Sequence, residues 1–413
     1  MKVWTLSKDA HKRFKYLHPW IFSNELNHSP KGIEPGALLE LHDSSGDFLA
    51  YGYGHPNSLI CFRVLSRQKT EVPDHKWALK KLIHAQQLRT LTGVDKASYR
   101  LIFSEADGIP GLIIDRFITN NQSSVFVIQP HTAGADTLLP MITEALHIFA
   151  KEHLQIPSYS FVVAKNSTSR TLEGLEVEGK ELVFGDADLE NQEILLRHQD
   201  TTIKVYADLL HGQKTGFFLD QQQNVNHILP LLKGMKQKTV RILDICCYVG
   251  QWSSHLAHYF KQLGIETHCD LADSSASALD LAYKNVSQYS NNVQAIKMDV
   301  MQDWGKIHGQ YDIIICDPPA FVKKKKDLVL GLKAYTKLNK ESMFRLASNG
   351  MYITCSCSGL VNEEDFSNAI ARAHQLSQKN LQWIYKGGHS PDHPWLLEFS
   401  QGYYLKCMAA YNV

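Results

Sequence analysis

From about residue 238 the chain falls into a strand, helix, strand, helix rhythm, and this constrains the fold more than any other feature. Strands are predicted at Val240–Ile245, Ile265–Leu271, Val293–Met298, Tyr311–Cys316 and Met351–Thr354, with helical stretches between them. Such alternation implies a parallel sheet with helices on both faces. A sheet of that kind binds its ligands at the carboxyl ends of its strands, so the polar residues there carry the functional reading.

The 413 residues are too many for one domain of ordinary size, roughly 100–200 residues. Residues 1–72 read as a small β-barrel: the apolar runs Leu38–His42, Phe48–Tyr51 and Leu59–Val64 are separated by turn signals. Residues 73–195 read as a central α+β domain. It opens on a helix introduced by Pro73-Asp74 and closed at Gly93, and continues with strand candidates Leu112–Asp115 and Val125–Ile128 and a helix candidate Leu138–Lys151. Residues 196–413 hold the alternating sheet. The eight cysteines form no CxxC pair, no apolar run is long enough to span a membrane, and the N-terminus lacks a signal-peptide core. A reduced, cytoplasmic protein with no membrane partner and no metal is expected. The formal charge of +1 gives no global basic field, although a local patch suffices for a polyanion.

The first strand ends in Asp244, followed by Cys246-Cys247-Tyr248-Val249-Gly250 and a helix. The second ends near Asp273, 23 residues beyond Gly250, a spacing that suits an acid against ribose hydroxyls. Asp299 follows the third strand, where it or its neighbouring backbone can meet an adenine edge. The pyrophosphate fingerprint GxGxxG is absent. Three acids at successive strand ends without that fingerprint fit an adenosine-bearing cofactor, S-adenosyl-L-methionine. The fourth strand ends in Asp317-Pro318-Pro319, whose prolines fix an extended exit and hold Asp317 at the reacting centre. The fifth ends in Thr354-Cys355-Ser356-Cys357, and the two cysteines are expected to project oppositely, with at most one entering the site. A thiolate there is what methylation of pyrimidine C5 requires: addition at C6 makes C5 nucleophilic.

The chain resembles the PUA-domain-containing class I methyltransferases that form 5-methylcytosine in 23S ribosomal RNA. The resemblance rests on His18-Pro19-Trp20, Phe62–Arg67, Glu105–Leu112, Gly212–Gln221, the segment with Gly331, Tyr335 and Asn339, Asp392-His393-Pro394 and Leu405-Lys406. It implies an N-terminal PUA-like barrel and a Rossmann-like methyltransferase sheet. It also implies S-adenosylmethionine held by Phe218, Asp220, Gln221, Asp244, Cys247, Tyr248, Gly250, Asp273, Asp299, Asp317 and Pro318. The implied nucleophile is Cys355, with Cys357 as second choice, Asp317 is implied beside it, and Glu364 lies where related enzymes carry an acid. Four positions depart from the family pattern: Gln222 stands where arginine is usual, Val225 where a second basic residue is frequent, Gln251 where a second glycine is usual, and Ala320 where lysine is frequent.

Ribosomal RNA is the expected partner and a homodimer is left open; the alternatives to cytosine-5 methylation are a same-fold methyltransferase acting on another nucleobase or site and a non-catalytic RNA-binding relative. Lys323, Lys324 and Lys325, with Lys326, directly follow the prolines and are expected at the mouth of the site. Lys12 and Arg13, with Lys8 and Lys15, precede the barrel, and Arg63 and Arg67 are assigned to the same RNA-facing surface. His255 and His258, three apart on a helix, complete no metal-ligand set and are assigned to packing.

Overall fold

The protein is described from a computed structural model covering residues 1–15, 17–119 and 122–413; the side chains of residues 11–13 lie outside the described part. The chain separates into two compact units, where the sequence reading draws three segments. The first comprises Met1–Gln192, Asp208–Phe217 and Pro391–Gly402. It begins with β1 (Lys2–Thr5), α1 (Ala10–Lys15), β2 (Trp20–Phe22), β3 (Leu38–His42), β4 (Phe48–Gly54) and β5 (Ile60–Ser66), whose sheet order is β1-β3-β4-β5-β2. Next comes α2 (His75–Thr92), capped at its start by the Asp74 side chain on the Trp77 amide and at its end by Gly93 at φ 68°. A second sheet follows: β6 (Tyr99–Phe103), β7 (Leu112–Ile118), β8 (Ser124–Pro130), then α3 (Ala133–Ile148), β9 (Tyr159–Ala164) and β10 (Lys180–Phe184).

One core joins the two sheets of this unit. Tyr53 of β4 and Leu65 of β5 are buried with Leu101, Ile128 and Leu138, and the Tyr53 hydroxyl donates to Pro110 O at 2.9 Å. The barrel thus shares apolar burial with the segment that follows it. Three distant sequence segments also meet here on buried charge. Arg89 grips Asp107 at 2.6 and 2.7 Å and donates to Asp392 O at 2.9 Å. Arg100 grips Asp115 at 2.8 and 3.0 Å, and Asp115 also accepts from Thr215 Oγ1 at 2.6 Å. Buried carboxylates satisfied on both oxygens in this way cost far less than unpaired ones.

The second unit comprises Glu193–Ala207, Phe218–Ser390 and Tyr403–Val413. A two-stranded ribbon, β11 (Gln192–His198) with β12 (Thr201–Ala207), precedes α4 (Gln222–Ile228). The main sheet is built from β13 (Thr239–Ile245), α5 (Gln251–Gln262), β14 (Glu266–Asp273), α6 (Ala276–Val286), β15 (Asn292–Lys297), β16 (Tyr311–Cys316), α7 (Leu328–Phe344), β17 (Leu346–Ser356), α8 (Glu363–Ser377), β18 (Leu381–Gly387) and β19 (Lys406–Asn412). Its order is β15-β14-β13-β16-β17-β19-β18, parallel except for β19, which runs antiparallel to both neighbours. Alternate side chains feed two cores: Ile242, Ile313, Ile315, Ile353 and Cys355 enter one, and Leu243, Ile314, Cys316 and Tyr352 the other. The strand order reverses between β13 and β16, so the crevice at their carboxyl ends is where a ligand belongs.

Candidate active site at the strand ends

Asp244 sits at the crevice, buried at the end of β13. Its Oδ2 accepts from the Ser253 amide at 3.2 Å and the Ser253 hydroxyl at 2.7 Å, while Oδ1 has no partner among the described residues. Burial pushes this carboxyl up to about 7. The loop that follows is wound tightly, with positive φ at Cys246 (61°), Tyr248 (49°) and Gly250 (75°). It is pinned to the neighbouring strand: the Cys246 and Cys247 amides donate to Ala272 O at 2.8 and 3.2 Å, and the Tyr248 amide donates to Asp273 Oδ2 at 3.0 Å. Asp273 Oδ1 accepts from Ser275 N at 2.9 Å. The Phe218 and Tyr248 rings meet edge-on at 4.9 Å. A Cβ on Gly250 would lie 3.1 Å from Val286 Cγ2 and 3.3 Å from Ala282 Cα, so this glycine serves a left-handed turn and close packing on α6. Gln251, the first residue of α5, is buried, and its Nε2 has no partner among the described residues.

Asp317 follows β16. Its Oδ2 accepts from Gln221 Nε2 at 2.9 Å and from Trp252 Nε1 at 3.3 Å, and burial together with the Asp220 charge pushes its carboxyl up to about 7. Gln221 in turn accepts from Asn224 at 2.8 Å, and Asp220 accepts the Tyr404 hydroxyl proton at 2.6 Å. The segment around Asp220 and Gln221 is therefore fixed against the end of β16. Pro318 is buried beside it.

The two candidate thiols part company. In an unbroken strand, positions 355 and 357 would share a face, contrary to the expectation of opposite projection; it is the end of β17 at Ser356 that separates them. Cys355 stays in the sheet, fully buried and paired in register with Cys407 of β19. Burial, then the Cys407 neighbour, pushes its thiol well above the ordinary range. Cys357 lies past the strand end, partly exposed, with its Sγ 3.8 Å from Pro318 O.

Beside Cys357 sits a residue that sequence reasoning matched but gave no role. Lys406 pairs across the sheet with Ser356, and its buried ammonium donates to Ser358 O at 2.7 Å, Val361 O at 2.7 Å and Tyr404 O at 2.8 Å. Burial lowers its pKa to about 8, against the opposing pull of the Cys357 and Glu363 charges. Tyr335 and Asn339 of α7 brace the same strand end. Asn339 Oδ1 accepts from Tyr352 and Thr354 at 2.6 Å each, and the Tyr335 hydroxyl bonds Ser356 and Ser358 at 2.9 Å. A Cβ on Gly331 would strike Val322 Cγ2 at 2.2 Å, so α7 lies directly on the loop after the prolines.

Other predicted residues fall elsewhere. Asp299 is exposed and closes its own turn, accepting from Met301 N at 2.8 Å and Gln302 Nε2 at 3.0 Å. Cys247 is buried in the core with its thiol pushed up by burial. Arg63 requires correction as an RNA contact: it is buried in the first unit, paired with Glu173 at 2.9 Å and Glu105 at 3.4 Å, and stacked on Trp20. Arg67 is turned inward onto Phe14 and donates to His18 O at 3.0 Å. The side chains of Lys12 and Arg13 lie outside the described part. Lys323, Lys324 and Lys325 are exposed, and Glu364 is exposed on α8. His255 is buried against His198, Nδ1 to Nδ1 at 3.0 Å. No group of three or more His, Cys, Asp or Glu among the described residues can hold a metal, and no described helix is long and apolar enough to cross a membrane.

The seven-stranded order, with its single antiparallel strand and acids at the ends of β13, β14 and β16, defines a Rossmann-like methyltransferase. Residues 226–386 match the methyltransferase small domain and residues 5–67 a PUA-like domain. The solved structure of SMU.776 complexed with SAH has the same fold over 100% of both chains, at a TM-score of 0.76 and 18% identity. Among curated proteins, the ribosomal RNA large subunit methyltransferase I of Photobacterium profundum is 30% identical over 98% of each chain, and that of Erwinia tasmaniensis 31% identical over 98% of each. A ribosomal RNA large subunit methyltransferase of Deinococcus radiodurans is 28% identical over 98% of this chain and 95% of its own. The chain belongs to the ribosomal RNA large subunit methyltransferase I family, and its cofactor is S-adenosylmethionine. The residues at the strand ends fit that cofactor. Its amino-acid end carries an ammonium and a carboxylate, and the end of β13 and the start of α5 hold a buried acceptor, Asp244 Oδ1, and a buried donor, Gln251 Nε2, that both lack partners among the described residues.

Proposed function

We propose that the protein methylates C5 of a cytosine in large-subunit ribosomal RNA, with Cys357 as the nucleophile. The observation that carries this reading is the partly exposed Cys357 thiol at the end of β17, beside Pro318 O and next to the caged ammonium of Lys406. It reverses the order expected from sequence, because Cys355 is sealed against Cys407. The names of the curated relatives support the RNA, and a cytoplasmic site of action goes with it.

Asp244, Gln251, Asp273 and the Tyr248 backbone would hold the cofactor, with Phe218 against Tyr248. The bound cofactor supplies an electrophilic methyl group. The target base must leave its stack to reach the strand ends. The Cys357 thiolate adds to C6, and the ring's electron pair moves toward N3. Asp317, whose carboxyl titrates near neutrality and whose Oδ1 has no hydrogen-bond partner among the described residues, lends a proton to that nitrogen. C5 then takes the methyl and afterwards loses its proton to a base. The thiolate leaves from C6, and Asp317 recovers its proton. The Lys406 ammonium favours the thiolate throughout.

The test is tritium transfer from labelled S-adenosylmethionine to deproteinised large-subunit ribosomal RNA, with nucleoside mass spectrometry of the product. Cys357→Ala is expected to lose at least 1,000-fold in activity, as removal of a covalent nucleophile does (order of magnitude). Cys355→Ala is expected to keep activity within about ten-fold. The reverse pattern would return the role to Cys355, and a product other than 5-methylcytosine would sink the chemistry.

A further inference from the structure

Helices α7 and α8 leave the strand ends side by side, and a groove of about 570 Å³ runs between them. Its walls carry Lys333, Lys337, Lys340 and Arg372 against a single acid, Asp365. That local surplus of three positive charges stands out in a chain whose whole formal charge is +1. The three lysines follow an i, i+4, i+7 spacing, which puts them on one face of α7. Upstream, the exposed Lys323–Lys326 run leads straight into α7 through a short 3₁₀ turn at Lys325–Asp327. The cations thus form two groups, Lys323–Lys326 after the Asp317-Pro318-Pro319 exit and Lys333, Lys337 and Lys340 farther down α7. Within α7, Lys333 to Lys340 cover roughly 10 Å along the helix axis, at 1.5 Å per residue.

Most of these charges have no internal task. Lys323–Lys326, Lys333 and Arg372 make no ion pair or side-chain hydrogen bond among the described residues. Lys337 donates only to Met301 O at 2.8 Å, and Lys340 pairs with its chain neighbour Glu341 at 3.2 Å. The floor is aliphatic, with Val329 and Leu376 well exposed, and offers sugar and base faces a surface to cover. A set of cations, most of them without an ion-pair partner among the described residues, that starts beside an active-site mouth and recurs along an open groove complements a polyanion already engaged at that mouth.

We propose that the α7–α8 groove is a track for the substrate RNA, its rim binding the phosphates of the strand that flanks the target base. The inference rests on the RNA reading above and extends it to a surface outside the crevice. The contacts are to phosphate, so they add affinity without base choice.

The decisive variant is the double substitution Lys333→Glu with Arg372→Glu in the full chain; both side chains are exposed and unpartnered. The control is Lys233→Glu with Lys236→Glu, an equal charge change ahead of β13, at the amino end of the sheet. Binding to deproteinised large-subunit ribosomal RNA is measured by filter retention at several salt concentrations. The groove variant is expected to bind about ten-fold more weakly near 0.1 M salt, with a salt slope shallower by about two. The control should stay within about two-fold of wild type, and all three proteins should bind S-adenosylmethionine equally. A groove variant indistinguishable from the control overturns the track. So would RNA binding that is unaffected while a Leu/Glu model helix binds wild type and not the variant, since the groove would then serve an acidic protein segment. Wild type that binds this RNA no better than control RNA of equal length would instead remove the substrate reading, and the track with it.

Discussion

The carboxyl ends of β13 and β17 lie in one crevice but are built on opposite plans. The β13 end is unfinished: three residues there have positive φ, Asp244 Oδ1 and Gln251 Nε2 lack partners among the described residues, and the Asp244 carboxyl is pushed up to about 7. The β17 end is finished. Asn339, Tyr335, Ser358 and Lys406 close a dense set of hydrogen bonds around it, and the described residues leave none of their side-chain polar atoms buried without a partner. An end with missing partners is completed by a ligand. An end that is complete already holds its reactive group still. The contrast supports the proposal that the β13 end takes the cofactor and the β17 end carries the nucleophile.

After loss of the thiol itself, the largest effect should come from breaking the finished end at Lys406. Lys406→Met keeps the apolar stem and removes the ammonium, leaving the Ser358, Val361 and Tyr404 carbonyls without their shared donor. Methyl transfer at neutral pH is expected to fall about 10–100-fold, and stability by about 1–3 kcal/mol. The diagnostic reading is the rate of Cys357 alkylation by iodoacetamide against pH, taken in the Cys355→Ala background. Its midpoint should move upward in the variant, because the thiolate has lost its positive neighbour. In wild type that support fades as pH rises through about 8, where Lys406 itself loses its proton. Lys406→Arg keeps a charge in place and should recover part of the shift. An unchanged midpoint in the methionine variant would reduce Lys406 to a structural cap.

Next in size is the unfinished end, tested with Asp244→Asn. For a buried acid the folded pKa lies above the unfolded one, so the folded state holds the proton more tightly. Stability is then highest at low pH, declines as pH rises from about 4 to about 7, and stays at the lower level above that. Asparagine cannot ionise, so the cofactor-free variant is expected to be more stable than wild type at pH 8, by about 1–3 kcal/mol in denaturant unfolding, and equally stable at pH 4. Calorimetric titration should show S-adenosylmethionine binding at least ten-fold more weakly, since the free carboxylate oxygen is what the cofactor's ammonium would meet. A variant that loses stability at pH 8 would mean that Asp244 is satisfied within the chain and that the end is not waiting for a ligand.

How far the site could be read from sequence follows the same division. Elements set by local chemistry were legible. Tyr311–Cys316 is a strand with the predicted limits, and α2 starts after Asp74 and stops at Gly93, because caps and apolar runs act within a few residues. The α3 start was placed late, since Thr132 caps a first turn of Ala133, Gly134 and Ala135 that adds little to an apolar stripe. The acids at the ends of β13, β14 and β16 were found because strand ends can be located by pattern. What escaped depends on pairing between distant segments. Lys406 meets Cys357 only through the β17–β19 register, and Cys355 is disqualified only by Cys407 in the same register. Arg63 looked free because Glu105 and Glu173, which neutralise it, lie 42 and 110 residues away.

The smallest expected effect separates two meanings of Gly250. The family resemblance places this glycine among the residues that hold the cofactor. In the structure its φ is 75° and the space for a Cβ is bounded by Val286 and Ala282 of α6. Gly250→Ala should therefore cost about 1–2 kcal/mol through the left-handed backbone. The 3.1 Å approach to Val286 Cγ2 adds a few tenths of an ångström of displacement in α6. The neighbouring residues Cys246 and Tyr248 already bear positive φ with side chains attached, at 61° and 49°, so the turn tolerates that conformation. Thermal melting is expected to drop by a few degrees, while S-adenosylmethionine affinity at 20 °C stays within about two-fold of wild type. Affinity lost out of proportion to stability would place the Cβ in the cofactor's path and move Gly250 from the packing of α6 to the cofactor pocket.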